Sequence, residues 1–363
     1  MEKEKLDAFM TEWMTTHGEG VLPGAMLMKY GPEDYVGATL AVRGTLYFKG
    51  AYTPEVREAI CQCFDAYEAL AKEHLKWLWR DEPPEGPDKF AYPKTKPLRE
   101  MVKRMKENDH MGFAYIGGDK PHDASPWLFY VAGLRGWEAK LGWKGLDSLQ
   151  FSLPRSYVDE HPTVFQKLFV DFARLLKIEH GHGGLAFNIS MVRGEPNEPI
   201  EAFMSQKMNG LDVGDSLARR NKIGITNHIK TIGWLTAINH DMVERAGDMF
   251  NLNSELPMNW FAKYDYGNGI VIQAGPRPDI AGVELDPKPA TYVLPNMFLK
   301  PIRVAEIGSL HYGSQDGEPR LFGWAAEQWL SRFDVPEEEL MAYKVKLLKE
   351  PKLTPATTLP DRL

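Results

Sequence analysis

Residues 260–278, WFAKYDYGNGIVIQAGPRP, decide how the rest of the chain is read. With a period of two, Trp260, Ala262, Tyr264 and Tyr266 fall on one face. Phe261, Lys263 and Asp265 fall on the other, the pattern of a half-buried strand. Gly267-Asn268-Gly269 supplies residues that tolerate the positive φ of a tight hairpin turn. The return strand, Ile270 to Ala274, is almost wholly apolar, which predicts a central position. It stops at Gly275-Pro276-Arg277-Pro278, where neither proline has an N–H for a ladder and Pro278 pushes Arg277 toward an extended backbone. The stretch is a hairpin with a rigid exit.

Working outward, Ala38–Phe48 reads as a strand pair, followed by a long helix. Thr53 is placed to cap it, Pro54 suits its first turn, and Val56, Ile60, Phe64, Tyr67 and Ala71 make one apolar stripe. The helix is expected to end near Trp79, before a proline-rich loop at 81–97. Strands are expected at 112–116, 126–134, 149–153 and 185–191. A second helix opens at Pro162 with Gly181 as its stop. Beyond a long polar connection, the spacing predicts a strand at 231–238 and a short helix at 241–249. The hairpin comes next, then a strand around 290–293, a helix from Pro319 carrying Leu321, Phe322, Ala325, Trp329 and Phe333, and a last helix after Glu337.

This order predicts an α+β fold of antiparallel or mixed sheets flanked by helices. A tandem duplication of a strand–helix–three-strand–helix unit is one way to build it. The corresponding organisation is an appendage at 1–35, a first half at 36–192, a connection at 193–229, a second half at 230–345 and a loose tail at 346–363, with the halves able to form one compact domain.

Several stretches, taken together in order, resemble one bacterial family. They are the strand running into Gly275, Pro276, Arg277 and Pro278, LYFKGAYTPEVREAI (46–60), GFAYIGGD (112–119), GLRGWEAKLG (133–142) and SLQFSLP (148–154). HGHGGLAFNIS (180–190), Gly210-Leu211-Asp212-Val213 and KTIGWLTAI (230–238) continue the likeness. The family is the immunity family of type VI secretion systems, associated with nuclease toxins that include the virus-type replication-repair class. The resemblance, over about residues 38–334, implies a non-catalytic protein that binds and neutralises a cognate effector toxin, a nuclease by expectation. It transfers no functional residues, since G-P-x-P fixes backbone shape.

Composition is compatible with that expectation. The 363 residues are 43% hydrophobic and 11% aromatic, enough for a substantial core, with a formal charge of −7. With a pI near 5.9, neither direct nucleic-acid binding nor attachment to an anionic membrane is expected. MEKEKLDAF lacks the apolar segment of a signal peptide, and no apolar run approaches the ~18 residues of a spanning helix. Cys61 and Cys63 lie two apart in a helix and are poorly placed to bridge. The reading is a reduced, cytoplasmic protein.

Motifs for catalysis are incomplete. Gly214-Asp215-Ser216-Leu217 spells a serine-hydrolase signature, but no D-x-x-H follows to supply a base for Ser216; a helix cap is the favoured reading. His180 and His182 would share a strand face as two metal ligands do, yet a third ligand with supporting spacing is missing among His228, His240 and His311. A metal-dependent or serine hydrolase is thus the weaker alternative, and no cofactor is expected. Arg277, held between prolines, can recognise an anion or serve its own turn. For a nuclease partner with a basic groove, the acidic candidates are Glu195, Glu198, Asp212, Asp215 and Glu337, Glu338 and Glu339. Trp137, Trp143, Trp234, Trp260, Trp324 and Trp329 read mostly as core.

Overall fold

The computed structural model describes residues 35–142, 145–191, 194, 197–214, 225–284, 288–311 and 321–363. In chain order the strands are β1 (Ala38–Phe48), β2 (Trp77–Arg80), β3 (Lys89–Ala91), β4 (Met111–Ile116), β5 (Leu128–Gly133), β6 (Asp147–Leu153), β7 (His180–Ile189), β8 (Leu235–Asn239), β9 (Phe261–Asp265) and β10 (Gly269–Ala274). The helices are α1 (Pro54–Ala71), α2 (Leu98–Val102), α3 (Gly136–Lys140), α4 (Arg155–Glu160), α5 (Val164–Leu176), α6 (Glu198–Ser205), α7 (His240–Ala246), α8 (Asp248–Glu255), α9 (Ala290–Leu299), α10 (Trp324–Leu330) and α11 (Leu340–Leu347). The strands form one sheet in the order β3-β2-β4-β5-β6-β1-β7-β8-β10-β9, antiparallel at every pairing. The α+β class is as expected. The duplication is not established, because a single sheet runs through both halves, joined where β7 pairs with β8.

One row of residues across the sheet explains its packing. In register lie Leu78, Tyr115, Phe129, Phe151, Gly44, Gly183 and Leu235. The aromatic members meet Phe64 and Tyr67 of α1 and Phe165 and Phe172 of α5: Phe64 stacks on Tyr115 with centroids 4.0 Å apart and Phe165 on Phe151 at 5.0 Å. Beside them the row changes to glycine, since a Cβ on Gly44 would stand 2.6 Å from the Phe151 ring and one on Gly183 would stand 3.1 Å from Phe169. Glycine inside a strand here marks close approach. This corrects two expectations. Residues 38–48 are not a strand pair but one eleven-residue strand, with Gly44 in its interior. Gly181 does not stop a helix, since α5 ends at Lys177 with φ 49° and the glycines sit within β7.

Other departures have local causes. The first helix does receive its cap from Thr53, whose Oγ1 accepts from Val56 N at 3.3 Å, but it stops at Ala71. Trp77–Arg80 then alternates as a strand between β3 and β4. The proline-rich loop contains β3. Residues 290–293 are helical, because α9 starts after Pro289 and the Glu350 carboxylate accepts from the Ala290 and Thr291 amides at 2.5 and 3.1 Å. Orphan amides at a helix start favour such an acid. The run Glu337–Glu339 forms a 3₁₀ turn leading into α11.

The hairpin appears at its expected place, with Gly267 at φ 90° and Tyr266 N donating to Gly269 O at 3.0 Å. Both its faces are buried, however, and Lys263 is enclosed with its Nζ donating to Leu256 O at 2.6 Å. Burial pulls that ammonium down to about 8. The terminal residues, loose by composition, lie along β9: Leu363 N donates to Lys263 O at 2.8 Å and Arg362 bridges Tyr264.

Gly275 leaves β10 at φ 79°, and its carbonyl accepts from Trp234 Nε1 and Gln273 Nε2, both at 3.0 Å. A Cβ there would have room, its nearest contact being 3.6 Å away on Thr291, so the cost of a side chain is backbone strain. Gly275→Val is expected to lower stability by ~1–3 kcal/mol, read as a lower melting temperature. An unchanged melting curve would show that this exit is not conformationally demanding.

Candidate functional site

The second face of the sheet is polar at its centre. Arg43, Thr45 and Tyr47 of β1 alternate away from the aromatic row, and Gln150, His180 and His182 stand in register beside them. These side chains are buried, so the covering chain must satisfy them. It does so with Asp212. The amide of Asp212 donates to Leu185 O at 2.8 Å and its residue makes a parallel bridge to Ala186. That attachment aims the carboxylate at the strand centre.

Asp212 Oδ2 accepts from Arg43 Nη2 at 3.0 Å, and Oδ1 accepts from Lys230 Nζ at 2.6 Å. Lys230 Nζ also donates to Val213 O at 2.5 Å, and Arg43 Nη1 to Phe187 O at 3.0 Å. His182 Nε2 lies 3.2 Å from Asp212 Oδ2, in ionic reach but without the alignment of a full hydrogen bond. Burial alone would raise the Asp212 carboxyl, but Lys230, His182 and Arg43 together hold it well below the usual range. Burial lowers His182 and Lys230, against the pull of Asp212.

Two neighbouring contacts extend the centre. His180 Nε2 is 2.6 Å from Ile225 O, so this nitrogen carries the proton, and burial drives the imidazole down to about 3. His311 Nε2 is 2.8 Å from Glu201 Oε2, which also accepts from Gly214 N at 2.7 Å. Lys230 lies over the Trp329 ring at 5.3 Å, and Arg332 stacks on the same ring at 3.7 Å.

The expected candidates separate clearly. Asp212 and Glu198 are buried. Arg277 and Glu337–Glu339 are exposed, and Arg277 makes no hydrogen bond or ion pair to the described residues. Glu195, Asp215 and Ser216 lie outside the described residues, as does Trp143. Trp234, Trp260 and Trp329 are core, whereas Trp324 is 71% exposed. His180 and His182 share a face but face different partners, and among the described residues no group of three or more His, Cys, Asp or Glu side chains could hold a metal ion. The Asp212–Lys230 pair and the Glu201–His311 pair went unread, since separations of 18 and 110 residues leave no local signal. Cys61 and Cys63 are free and buried, and burial raises both thiols. No described helix is long and apolar enough to cross a membrane.

Removing the carboxylate between two buried cations should be severe. Asp212→Asn is expected to destabilise the protein by ~3–5 kcal/mol, with Asp212→Asn/Lys230→Met recovering part of the loss in a urea melt; an Asp212→Asn melt matching wild type would contradict this. The pH dependence has a fixed sign. The folded imidazole of His180 is depressed, so its stabilisation is complete above the unfolded value of ~6.5 and declines as pH falls toward 3, at ~1.4 kcal/mol per pH unit. Asp212 adds a second loss below its unfolded value of ~3.9. His180→Gln should flatten the first window by one proton, measured as unfolding free energy against pH.

The model of the TsiV family, described as type VI immunity for VRR-NUC, matches residues 59–333. Among solved structures, the chain is similar to the Pseudomonas aeruginosa T6SS protein PA0821, with 49% identity, 100% of each chain covered and a TM-score of 0.92. No curated protein matches it. The family match takes in Asp212, Lys230 and the hairpin exit, so the chain belongs to the TsiV family and is a type VI immunity protein of the class directed against VRR-NUC effectors.

Proposed function

We propose that this protein neutralises one cognate VRR-NUC nuclease effector by holding it in a stoichiometric complex, without turnover. The family match over residues 59–333 carries the reading. The polar centre supports it, because the charges of Asp212, Arg43 and Lys230 answer one another inside the fold. A hydrolase is not supported: His180 is bonded to a backbone carbonyl and His182 faces the Asp212 carboxylate. The two buried thiols suit a reduced, cytoplasmic location.

An inhibitor that does not destroy its target must occupy nearly every copy. That requires a dissociation constant of ~1 nM or tighter, about −12 kcal/mol, across an interface of roughly 1,200–2,000 Å². Of the acidic candidates within the described residues, Glu337–Glu339 keep exposed carboxylates able to meet a basic nuclease groove. Charge pairing mainly speeds association, so added salt should slow the on-rate more than it hastens dissociation.

The test is co-expression with a candidate cognate VRR-NUC effector, with survival and binding kinetics followed at several salt concentrations. Survival is expected together with an isolable complex, and Ser216→Ala should leave protection within a few-fold of wild type. Survival without a complex, or protection abolished by Ser216→Ala in a folded protein, would indicate a catalytic mechanism instead.

A further inference from the structure

On a chain of net charge −7, the eighteen residues from Lys89 to Lys106 carry seven lysines and arginines against Glu100 alone, a local charge of +6. They form β3, a 3₁₀ turn and α2, at the outer edge of the sheet. Two adjoining concavities meet there and share Thr95 and Lys96. One is also lined by Lys72, Lys103 and Tyr92, the other by Lys94, Arg104 and Lys106 beside Pro83, Pro84, Phe90 and Met101.

The two concavities are lined by eight lysines and arginines against six acids, and several charges on both sides are already engaged. Arg99 is held by Glu58 and Asp65. Glu68 accepts from the Tyr92 hydroxyl, and Asp109 accepts from the Lys106 amide at 2.6 Å. Several lining acids therefore have partners, whereas the exposed side chains of Lys94, Lys96, Lys103, Arg104 and Lys106 make no ion pair or hydrogen bond with the described residues. Among the described residues β3 pairs on one side only, with β2, while the opposite edge strand β9 is covered by Arg362 and Leu363.

We propose that this groove is a docking face for a carboxylate-rich segment of a partner protein. Resting on the immunity reading above, that partner is the nuclease effector. Lysines and arginines over a partly apolar floor suit a folded acidic segment, whose side chains supply both kinds of contact. A nucleic acid fits less well. The remainder of the chain carries −13 and repels an extended polyanion, and the acids of the groove interrupt the continuous basic track that a phosphate backbone follows. Glu337–Glu339 are the weaker docking candidate, because acids at a helix start are already explained by the helix dipole.

The experiment compares wild type with Lys94→Glu/Lys96→Glu/Arg104→Glu and with Glu337→Lys/Glu338→Lys. All five substituted side chains are exposed, and unchanged melting curves verify folding. Three probes are used: the candidate cognate VRR-NUC effector, a short oligo-glutamate peptide and a short DNA duplex. The groove variant should associate with the effector about tenfold or more slowly and lose the oligo-glutamate binding seen with wild type. Equal effector kinetics in wild type and groove variant would overturn the proposal while leaving the immunity reading intact. A wild-type chain that binds oligo-glutamate through these cations but ignores the effector would overturn the immunity reading and retain the groove's ligand class. Preferential binding of the duplex, lost in the same variant, would assign the groove to nucleic acid and overturn the proposal.

Discussion

The fold depends on the Asp212 carboxylate, because the sheet presents opposite chemistries on its two faces. One face is sealed by aromatic packing against α1 and α5. The other carries Arg43, His180 and His182 at its centre and is buried all the same. Covering such a face is unfavourable unless the cover brings the complementary charge, since buried cations without partners are costly. Asp212 supplies that charge to Arg43 and Lys230 together. Its placement comes from backbone pairing with Leu185 and Ala186, which makes the ion pairs and the chain path mutually dependent.

The same strands set the tolerance of the opposite face. β7 can hold His182 toward the ionic centre only while Gly181 and Gly183 point the other way. A Cβ on Gly181 would stand 2.7 Å from Thr45 O, and one on Gly183 would press on the Phe169 ring. The HGHGG run therefore serves two faces at once, with the imidazoles of His180 and His182 toward the polar centre and the bare backbone of Gly181 and Gly183 toward the apolar face. A catalytic interpretation of its histidines explains half of that pattern; the alternation of a strand with unequal faces explains all of it.

Sequence reading succeeded where the signal is local. The Gly267 turn, the Gly275 exit, the Thr53 cap and the stripe Ile60, Phe64 and Tyr67 follow from periods and turn chemistry, and each is present in the structure. It failed where a distant partner decides. Residues 38–48 look like a strand pair until β6 and β7 pair along them on either side. Thr291 and Val293 look like a strand until Glu350 caps the amides before them. Asp212 looks like a surface acid in a polar loop until Arg43 and Lys230 close on it. In each case the missing information is tertiary contact, which local propensity does not encode.

The two edges of the sheet bear on how an immunity protein can present a binding surface. An uncovered edge invites unwanted strand pairing, and short strands carrying lysine are a common protection. β3 fits that description with three residues, Lys89 among them, and edge protection alone would account for a lysine on the strand itself. It does not account for Lys94, Lys96, Lys103, Arg104 and Lys106, which lie beyond the strand around the adjoining concavities. These positions add mutual repulsion without guarding a ladder. A rigid partner surface of opposite charge would relieve that repulsion on binding, and a groove built on a sheet and a helix loses little conformational entropy when it is filled. The charge that is locally unfavourable in the free protein is then the part of the surface best arranged to favour the complex.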